Sequence, residues 1–208
     1  MTMTRAAARL LCPAAMVAAA CTSGPAPVDA RPYEQQVLAF RAEKDAAFRA
    51  ADNDESPIPI AQRPDFAGLV YYPVDAAFRV PASLIEERAT KPVIIELETS
   101  MGRIDRLRKV GALGFSLQGR PLRLTAFADV NARTVDRLFV PFGDLTNQSE
   151  TYRGGRYLQL TRTATGLYDL DFNQAFNPYC VYNYQYECPV PPPENRLPVA
   201  IPAGEKLG

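Results

Sequence analysis

The chain has 208 residues, of which 47% are hydrophobic and 22% are charged, and these proportions fit one globular domain with a short N-terminal appendage. Its 23 basic and 23 acidic residues cancel, so the sequence has no electrostatic footprint for nucleic acid. Histidine is absent, which excludes Ser-His-Asp and Cys-His catalysis and every His-ligated metal site. Because the sequence also has no Gly-Lys phosphate loop and no GxGxxG turn, we expect neither a cofactor nor a metal.

Residues 1–20 have the pattern of an export signal. Two arginines precede an apolar run at residues 10–20. That run has about half of the roughly 20 apolar residues that span a bilayer, so it predicts a cleaved signal peptide and not a membrane helix. Cys21 follows directly, and the junction resembles a bacterial lipobox, in which the cysteine becomes the lipidated first residue. Ordinary cleavage and free secretion are the alternative.

The segment 21–31 is predicted to be a flexible tether, because most of its residues are small, it contains proline and it shows no periodicity. An acyl chain on Cys21 would hold a soluble domain at a membrane without a transmembrane helix. No aspartate follows Cys21, which resembles the signal for release to the outer membrane. We therefore expect a cell-envelope location, at the periplasmic face of the outer membrane if the host has two membranes.

The first predicted element of the domain is an amphipathic helix. Pro32 suits a first helical turn, and the acidic and amide residues after Ala51 break the pattern. The positions that recur at steps of three and four are Tyr33, Val37, Phe40, Lys44 and Phe48. We expect this stripe to pack against the main body of the domain.

From Phe66 onward the apolar pattern changes to period two, which predicts strands. Gln118-Gly119-Arg120 supplies a turn between two alternating runs, and together they predict a hairpin. Four further short strands are predicted at residues 93–97, 138–142, 156–160 and 167–172. Because no long helix separates these strands, residues 32–208 are predicted to form one mainly β domain, an antiparallel sandwich or flattened barrel.

Two C-terminal segments, PFGDLTNQSETYRGGRYLQL (141–160) and the segment from DFNQAFNPYC to PAGEK (171–206), resemble a known family. It is the bacterial and archaeal domain of unknown function 1684, and the resemblance covers roughly residues 33–206. The family has no established activity, so the resemblance implies a fold and no function. The chain departs from the motif at Gln148 and Arg153, where glycine is common. The matching positions are Asp144, Thr146, Glu150, Tyr152, Gly155, Arg156, Tyr157, Asp171, Asn173, Asn177, Pro178, Cys180, Cys188, Pro189, Pro192, Glu194 and Asn195.

Cys180 and Cys188 are separated by seven residues. An exported location favours oxidation, so a disulfide is the first interpretation. Closing this loop would contribute about 2.6 kcal/mol in the chain-entropy estimate. A metal site completed by carboxylates is an alternative, but it lacks the short spacing of zinc sites. A redox-active pair is a third interpretation, and it lacks the Cys-x-x-Cys spacing that lowers a thiol pKa.

Polar and apolar side chains alternate in the segment YDLDFN, residues 168–173. In a strand, its three polar side chains would share the outer face if the apolar ones face the core. A solvated face is the plain interpretation. A hard-cation site or a carboxylate pair is the functional one, with Glu187 or Glu194 brought close by the cysteine loop. Asn173 and Asn177 also fit local bonding to their own backbone.

Two further patterns allow both a binding and a structural interpretation. Residues 153–156, Arg-Gly-Gly-Arg, fit an anion-binding nest between two guanidinium groups, or a plain hairpin turn. The tyrosines at 179, 182, 184 and 186, with the prolines at 191–193, fit an aromatic surface that meets a sugar or a peptide. The same tyrosines also fit packing over a small loop.

We therefore expect an exported, lipid-anchored binding or accessory module of the cell envelope. Its ligand would be an envelope polymer or a small molecule, bound where the 144–156 loop meets the 169–196 segment. The competing hypothesis is a histidine-independent hydrolase of envelope glycan or a related polymer, with Asp171 and Glu194 as its catalytic pair, about 5–9.5 Å apart. A purely structural role is the third. The binding candidates are Asp144, Thr146, Glu150, Tyr152, Arg156, Asp169, Asn173 and Asn177.

Overall fold

The computed structural model describes residues 29–132 and 134–208. Residues 31–208 fold as one unit. The predicted signal peptide at residues 1–20, the lipidation residue Cys21 and most of the predicted tether lie outside the described residues, so these expectations stay predictions.

The predicted helix is confirmed as α1 (Tyr33–Arg49), which directly follows Pro32. Its stripe is only partly buried, because Val37 and Phe48 lie in the interior while Phe40 stays 38% exposed. Arg41 is buried instead. Its guanidinium group lies over the ring of Tyr71 and donates to the carbonyls of Tyr72 at 2.9 Å and Asn173 at 3.2 Å. The helix is therefore held to the domain by polar as well as apolar contacts.

Seven antiparallel strands form a nearly closed, barrel-like sheet. The strands are β1 (Arg79–Glu86), β2 (Val93–Glu98), β3 (Ile104–Leu117), β4 (Arg120–Asp129), β5 (Arg137–Phe142), β6 (Arg156–Thr161) and β7 (Tyr168–Asp171). Their order is β6-β5-β4-β3-β1-β7, and β2 also pairs with β3. A bridge between Arg162 and Tyr168 joins the ends of β6 and β7 and nearly closes the sheet. The predicted fold class is confirmed.

The long strand β3 changes partner at a bulge between Lys109 and Gly111. Residues 104–109 pair with β2, whereas residues 111–115 pair with β1. The close approach of β1 requires glycine here, because a Cβ at Gly111 would lie 2.2 Å from the carbonyl oxygen of Ile85. The bend allows one strand to belong to both sides of the barrel.

The predicted hairpin is confirmed as β3 and β4, joined by a turn at Gln118 and Gly119. Both residues have a positive φ, 51° and 77°, as a type I′ turn requires. The sequence analysis did not identify β1. Val80, Ala82 and Leu84 do alternate towards the core in that strand, but Pro81 lies between two of them, and a proline inside a run argues against a strand.

The core fills the barrel and continues into the C-terminal segment. The fully buried residues include Leu113, Phe142, Leu170 and Phe172. Residues 196–205 form no strand of the sheet, yet every second side chain points inward. These buried side chains are Leu197, Val199, Ile201 and Ala203. We call residues 196–205 the C-terminal strap. Because it lies outside the sheet, its backbone takes hydrogen-bond partners elsewhere in the domain, as when the Leu197 N–H donates to the carbonyl of Gly143 at 2.7 Å.

Candidate functional site

A cleft of about 540 Å³ opens between α1, the strands β3, β5 and β6, and residues 176–189. We call it the aromatic cleft, because six of its lining side chains are aromatic. They are Phe40, Phe139, Tyr157, Phe176, Tyr179 and Tyr186. The polar side chains at its wall are Lys44, Asp105, Gln159 and Glu187.

Edge-to-face packing fixes the rings of the aromatic cleft. The centroids of Phe139 and Tyr157 lie 4.8 Å apart at an interplanar angle of 76°, and those of Tyr157 and Phe176 lie 5.9 Å apart at 88°. Tyr179 meets Tyr186 in the same way at 5.3 Å. The Tyr157 hydroxyl donates to the carbonyl of Pro189 at 2.5 Å, and burial raises the pKa of Tyr157. The wall is therefore preorganised, so binding would cost little side-chain entropy.

Two of the three charged side chains at the wall of the aromatic cleft, Lys44 and Glu187, are already paired within the protein. Lys44 bonds to the buried carboxylate of Glu205, and its ammonium group lies 4.6 Å from the ring centroid of Phe176. Glu187 pairs with Arg103 and accepts a hydrogen bond from Thr99, and the bond from Arg103 lowers the pKa of Glu187. The cleft wall therefore presents mainly ring faces and hydrogen-bonding groups to a ligand, and little net charge.

A second, smaller cavity of about 310 Å³ adjoins the aromatic cleft. We call it the thiol cavity, because Cys180 and Cys188 line it together with Tyr152, Arg153 and Ser100. The two cavities share Tyr157, Cys188 and Pro189. The thiol cavity lies where the 144–156 loop meets the 169–196 segment, which is where the sequence predicted a site.

Cys180 and Cys188 are free thiols in this structure, so the predicted disulfide is not formed in it. The two residues are nevertheless adjacent, because the Cys180 backbone N–H donates to the Cys188 sulfur at 3.2 Å. A disulfide between them therefore stays a prediction. Within residues 29–132 and 134–208, no cluster of three Cys, Asp or Glu side chains could hold a metal ion.

Arg156 is a binding candidate that the structure places in the interior, with no exposed surface. Its guanidinium group donates to Asp144 at 2.9 Å and to the strap carbonyls of Ile201 at 2.8 Å, Glu205 at 3.1 Å and Ala203. Of the two interpretations of residues 153–156, the anion-binding nest between two guanidinium groups does not fit, because the Arg156 group is buried. Residues 152–155 form a turn instead, closed by a 2.9 Å backbone bond.

Asp144 and Thr146, two further binding candidates, belong to the same buried network. Asp144 accepts bonds from the Thr146 backbone at 2.8 Å, the Thr146 hydroxyl at 2.6 Å and the Ile201 backbone at 3.1 Å. These bonds fix the C-terminal strap against the sheet. Neither residue lines the aromatic cleft or the thiol cavity.

The polar row of β7 is not an outward face, contrary to the expectation from its alternation. Asp171 and Asn173 lie buried beneath α1. Asp171 accepts bonds from Tyr33 at 2.9 Å and from the Asn173 backbone at 3.0 Å, and Asn173 donates to the carbonyl of Asp75 at 2.7 Å. Asp169 remains half-exposed and pairs with Arg79. These polar side chains therefore mainly attach α1 to the rest of the domain.

The carboxylates proposed as a catalytic pair are not brought together. Asp171 lines a hollow beside β6, whereas Glu194 is exposed in another hollow, between β2 and the proline run. No residue lines both hollows. Glu150 is exposed, and its carboxylate lies 3.9 Å from the ammonium nitrogen of Lys206. Among the eight binding candidates and the two catalytic ones, Tyr152 alone lines the thiol cavity and none lines the aromatic cleft. Two members of the tyrosine-rich segment, Tyr179 and Tyr186, do line the aromatic cleft.

The sequence analysis missed Glu205, which is 1% exposed. It accepts bonds from Lys44, from the Asn177 backbone at 2.7 Å and from the Tyr182 hydroxyl at 2.7 Å. Asn177, a binding candidate, is thus part of the interior. The only sequence signal for Glu205 was its place at the end of the family-like segment 171–206.

In the part of the chain that the structure describes, none of the helices is both long enough and apolar enough to cross a membrane.

Comparisons with known proteins confirm the resemblance noted in the sequence. A search of the curated proteins returns no match. An uncharacterised protein of Haloarcula marismortui, solved by solution NMR, is 39% identical, and the likeness covers 84% of this chain and 94% of that chain with a TM-score of 0.64. The family model described as protein of unknown function DUF1684 matches residues 64–206. The chain therefore belongs to the DUF1684 family.

Proposed function

We propose that this domain is a ligand-binding module of the cell envelope, and that its ligand presents a ring face to the aromatic cleft. One observation carries the proposal, namely six aromatic side chains around a single cleft of about 540 Å³. Small-molecule sites in proteins have volumes of about 300–1,000 Å³ and are lined mainly by apolar and aromatic side chains with a few polar groups. The aromatic cleft has this composition.

The chemistry of the wall favours an uncharged ligand with hydroxyl or amide groups around an apolar ring. The rings of Phe40 and Phe139 are partly exposed and available for stacking. Gln159 and Asp105 stand beside them to bond with hydroxyl groups. A segment of an envelope glycan or a small ring-bearing molecule has this pattern of faces and edges.

The aromatic cleft, which supports the binding role, is better formed than the site that the competing hydrolase would require. Hydrolysis by two carboxylates requires both groups across one open cleft, about 5–9.5 Å apart. Asp171 and Glu194 line separate hollows, and Asp171 is bonded within the interior. The envelope location rests on the export pattern of residues 1–20 and on Cys21.

Removing one ring is expected to weaken binding to the aromatic cleft. The probe is 8-anilinonaphthalene-1-sulfonate, whose fluorescence rises on apolar surfaces. We expect saturable binding to the native chain and a roughly tenfold higher Kd for Phe139→Ala, because a lost phenyl contact costs about 1–2 kcal/mol. Displacement of the probe by N-acetylglucosamine oligomers would identify the ligand as a glycan.

Tyr184→Ala is the matched control, because Tyr184 belongs to the same tyrosine-rich segment but is 86% exposed and lies outside the cleft. Its Kd for the probe should equal that of the native chain. Equal affinities for Phe139→Ala and Tyr184→Ala, or the absence of saturable binding to the native chain, would refute the cleft as the site.

The proposed anchor predicts where the protein fractionates in a bacterial cell. We expect the native chain in the membrane fraction, because an acylated Cys21 inserts its chains into the bilayer. Cys21→Ser should move the protein to the soluble fraction without changing its fold. Recovery of the native chain in the soluble fraction would contradict lipidation.

A further inference from the structure

Cys180 and Cys188 face the same cavity but differ in access. Cys180 is partly exposed, whereas Cys188 is only 7% exposed. The Cys180 backbone N–H donates to the Cys188 sulfur at 3.2 Å, and the Cys188 N–H donates to the Ser100 hydroxyl at 3.2 Å. An accessible thiol therefore stands beside a sheltered one.

Hydrogen-bond donors surround the accessible thiol. The neighbouring Cys188 thiol is the main cause that lowers the pKa of Cys180, and the Ser100 and Tyr152 hydroxyls lower it further. The contact between the two thiols is the main cause that raises the pKa of Cys188, and the burial of Cys188 is the second cause. Because Cys180 is the more exposed residue of the pair, a thiolate formed on it is accessible from the cavity.

The thiol cavity can admit a partner. It has a volume of about 310 Å³, and its charged lining residues are Arg153, Arg196 and a single carboxylate, Glu98. A net positive wall favours a thiolate and attracts molecules that carry carboxylates. Gly154 allows the Tyr152 ring to lie against the turn, because a Cβ at Gly154 would meet that ring at 2.4 Å. Tyr152 lines the cavity together with both cysteines.

We propose that Cys180 and Cys188 form a thiol–disulfide exchange site, with Cys180 as the attacking thiolate and Cys188 as the resolving thiol. The partner is a disulfide that carries carboxylates, such as an oxidised cysteinyl peptide. The proposal does not depend on the aromatic cleft. It also does not require the Cys-x-x-Cys spacing, because the fold brings the two cysteines together across the loop between them.

The exchange balances in two steps. The Cys180 thiolate attacks one sulfur of the external disulfide, the S–S bond breaks, and the leaving thiolate takes up a proton from solvent. Cys188 then loses its proton and attacks the Cys180 sulfur of the mixed disulfide, which releases the second external thiol. The external disulfide is reduced to two thiols and the protein pair is oxidised to one disulfide. An excess of external thiol reverses both steps.

The test uses the full chain with Cys12→Ser and Cys21→Ser, reduced and then exposed to glutathione disulfide. After an acid quench, mass spectrometry with peptide fragmentation locates each modification. We expect this two-cysteine chain to form the Cys180–Cys188 disulfide. With Cys188→Ser added, one glutathionyl group should accumulate on Cys180. With Cys180→Ser added instead, modification of Cys188 should be at least about tenfold slower, because Cys188 is only 7% exposed and a large disulfide reaches it poorly.

Tyr152→Phe distinguishes an exchange site from a structural disulfide. It removes one hydrogen-bond donor to Cys180 but keeps the ring, so it should raise the pH midpoint for alkylation of Cys180 by iodoacetamide. The native chain should show a midpoint below the ordinary thiol value of about 8.5. Circular dichroism checks that each variant is folded.

Three outcomes would overturn the proposal. The first is a pair that stays oxidised at every ratio of glutathione to glutathione disulfide. The second is preferential modification of Cys188, and the third is an alkylation midpoint that Tyr152→Phe leaves unchanged.

Discussion

Replacing Arg156 with methionine is expected to lower the free energy of unfolding by about 3–5 kcal/mol. The substitution keeps most of the side-chain volume but leaves the carboxylate of Asp144 buried without its partner. It also leaves the strap carbonyls of Ile201, Ala203 and Glu205 without this donor. A urea unfolding curve followed by circular dichroism measures the change.

The matched control for Arg156→Met is Arg79→Met, which breaks an ion pair with Asp169 that is more than one third exposed on both sides. Exposed pairs contribute about 0–1 kcal/mol, so this variant should unfold close to the native midpoint. Similar losses for the two variants would mean that the buried pair does not hold the strap.

Phe172→Ala is expected to destabilise the domain by a similar amount, about 3–5 kcal/mol. The ring is fully buried, and its centroid lies 5.3 Å from that of Phe142 and 6.0 Å from that of Phe115. Its removal opens a cavity in the centre of the core, directly beside the polar residues that attach α1. Thermal and urea unfolding both report the loss.

Phe40→Ala is the control for Phe172→Ala, because the Phe40 ring is partly exposed at the aromatic cleft. We expect it to cost less than about 1 kcal/mol of stability. Its effect should appear in probe binding instead. A large loss of stability for Phe40→Ala would show that this ring belongs to the core and not to a binding surface.

The strands were largely predictable because each depends on local information. The period-two pattern and the turn at Gln118 and Gly119 are sufficient to define the β3 and β4 hairpin. The interior of α1 was not predictable in the same way. Arg41 is buried because carbonyls of Tyr72 and Asn173, distant in sequence, accept its hydrogen bonds.

The alternation of β7 correctly indicates which residues share a face, but it gives no information about what covers that face. Asp171 and Asn173 are buried because Tyr33, at the start of α1, bonds to both of them. No local pattern connects residues 138 or more positions apart. The same limitation applies to the proposed pairing of Asp171 with Glu194.

Several residues of the family-like motif have structural roles in this domain. Asn195, for example, is fully buried and donates to the carbonyls of Thr125 at 2.9 Å and Pro141 at 2.7 Å. Arg156 and Asp144 similarly hold the C-terminal strap. A motif made of such residues identifies the fold without indicating a function.

The aromatic cleft could not be predicted as a unit because its lining comes from five separate parts of the chain. The sequence indicated the tyrosines of residues 179–186 as one group, but the structure divides them. Tyr179 and Tyr186 line the cleft, Tyr182 bonds to Glu205 in the interior, and Tyr184 is exposed. Phe139 had been assigned only to a strand, and Tyr157 only to a strand and to the family-like motif.

Native mass spectrometry of the full chain, purified with Cys21→Ser from an exporting bacterium, tests the proposed binding function most directly. The account predicts an additional non-covalent mass on this chain and on its Tyr184→Ala variant, and loss of that mass in Phe139→Ala and on denaturation. A protein that carries no ligand, or an additional mass that Phe139→Ala retains in full, would contradict it.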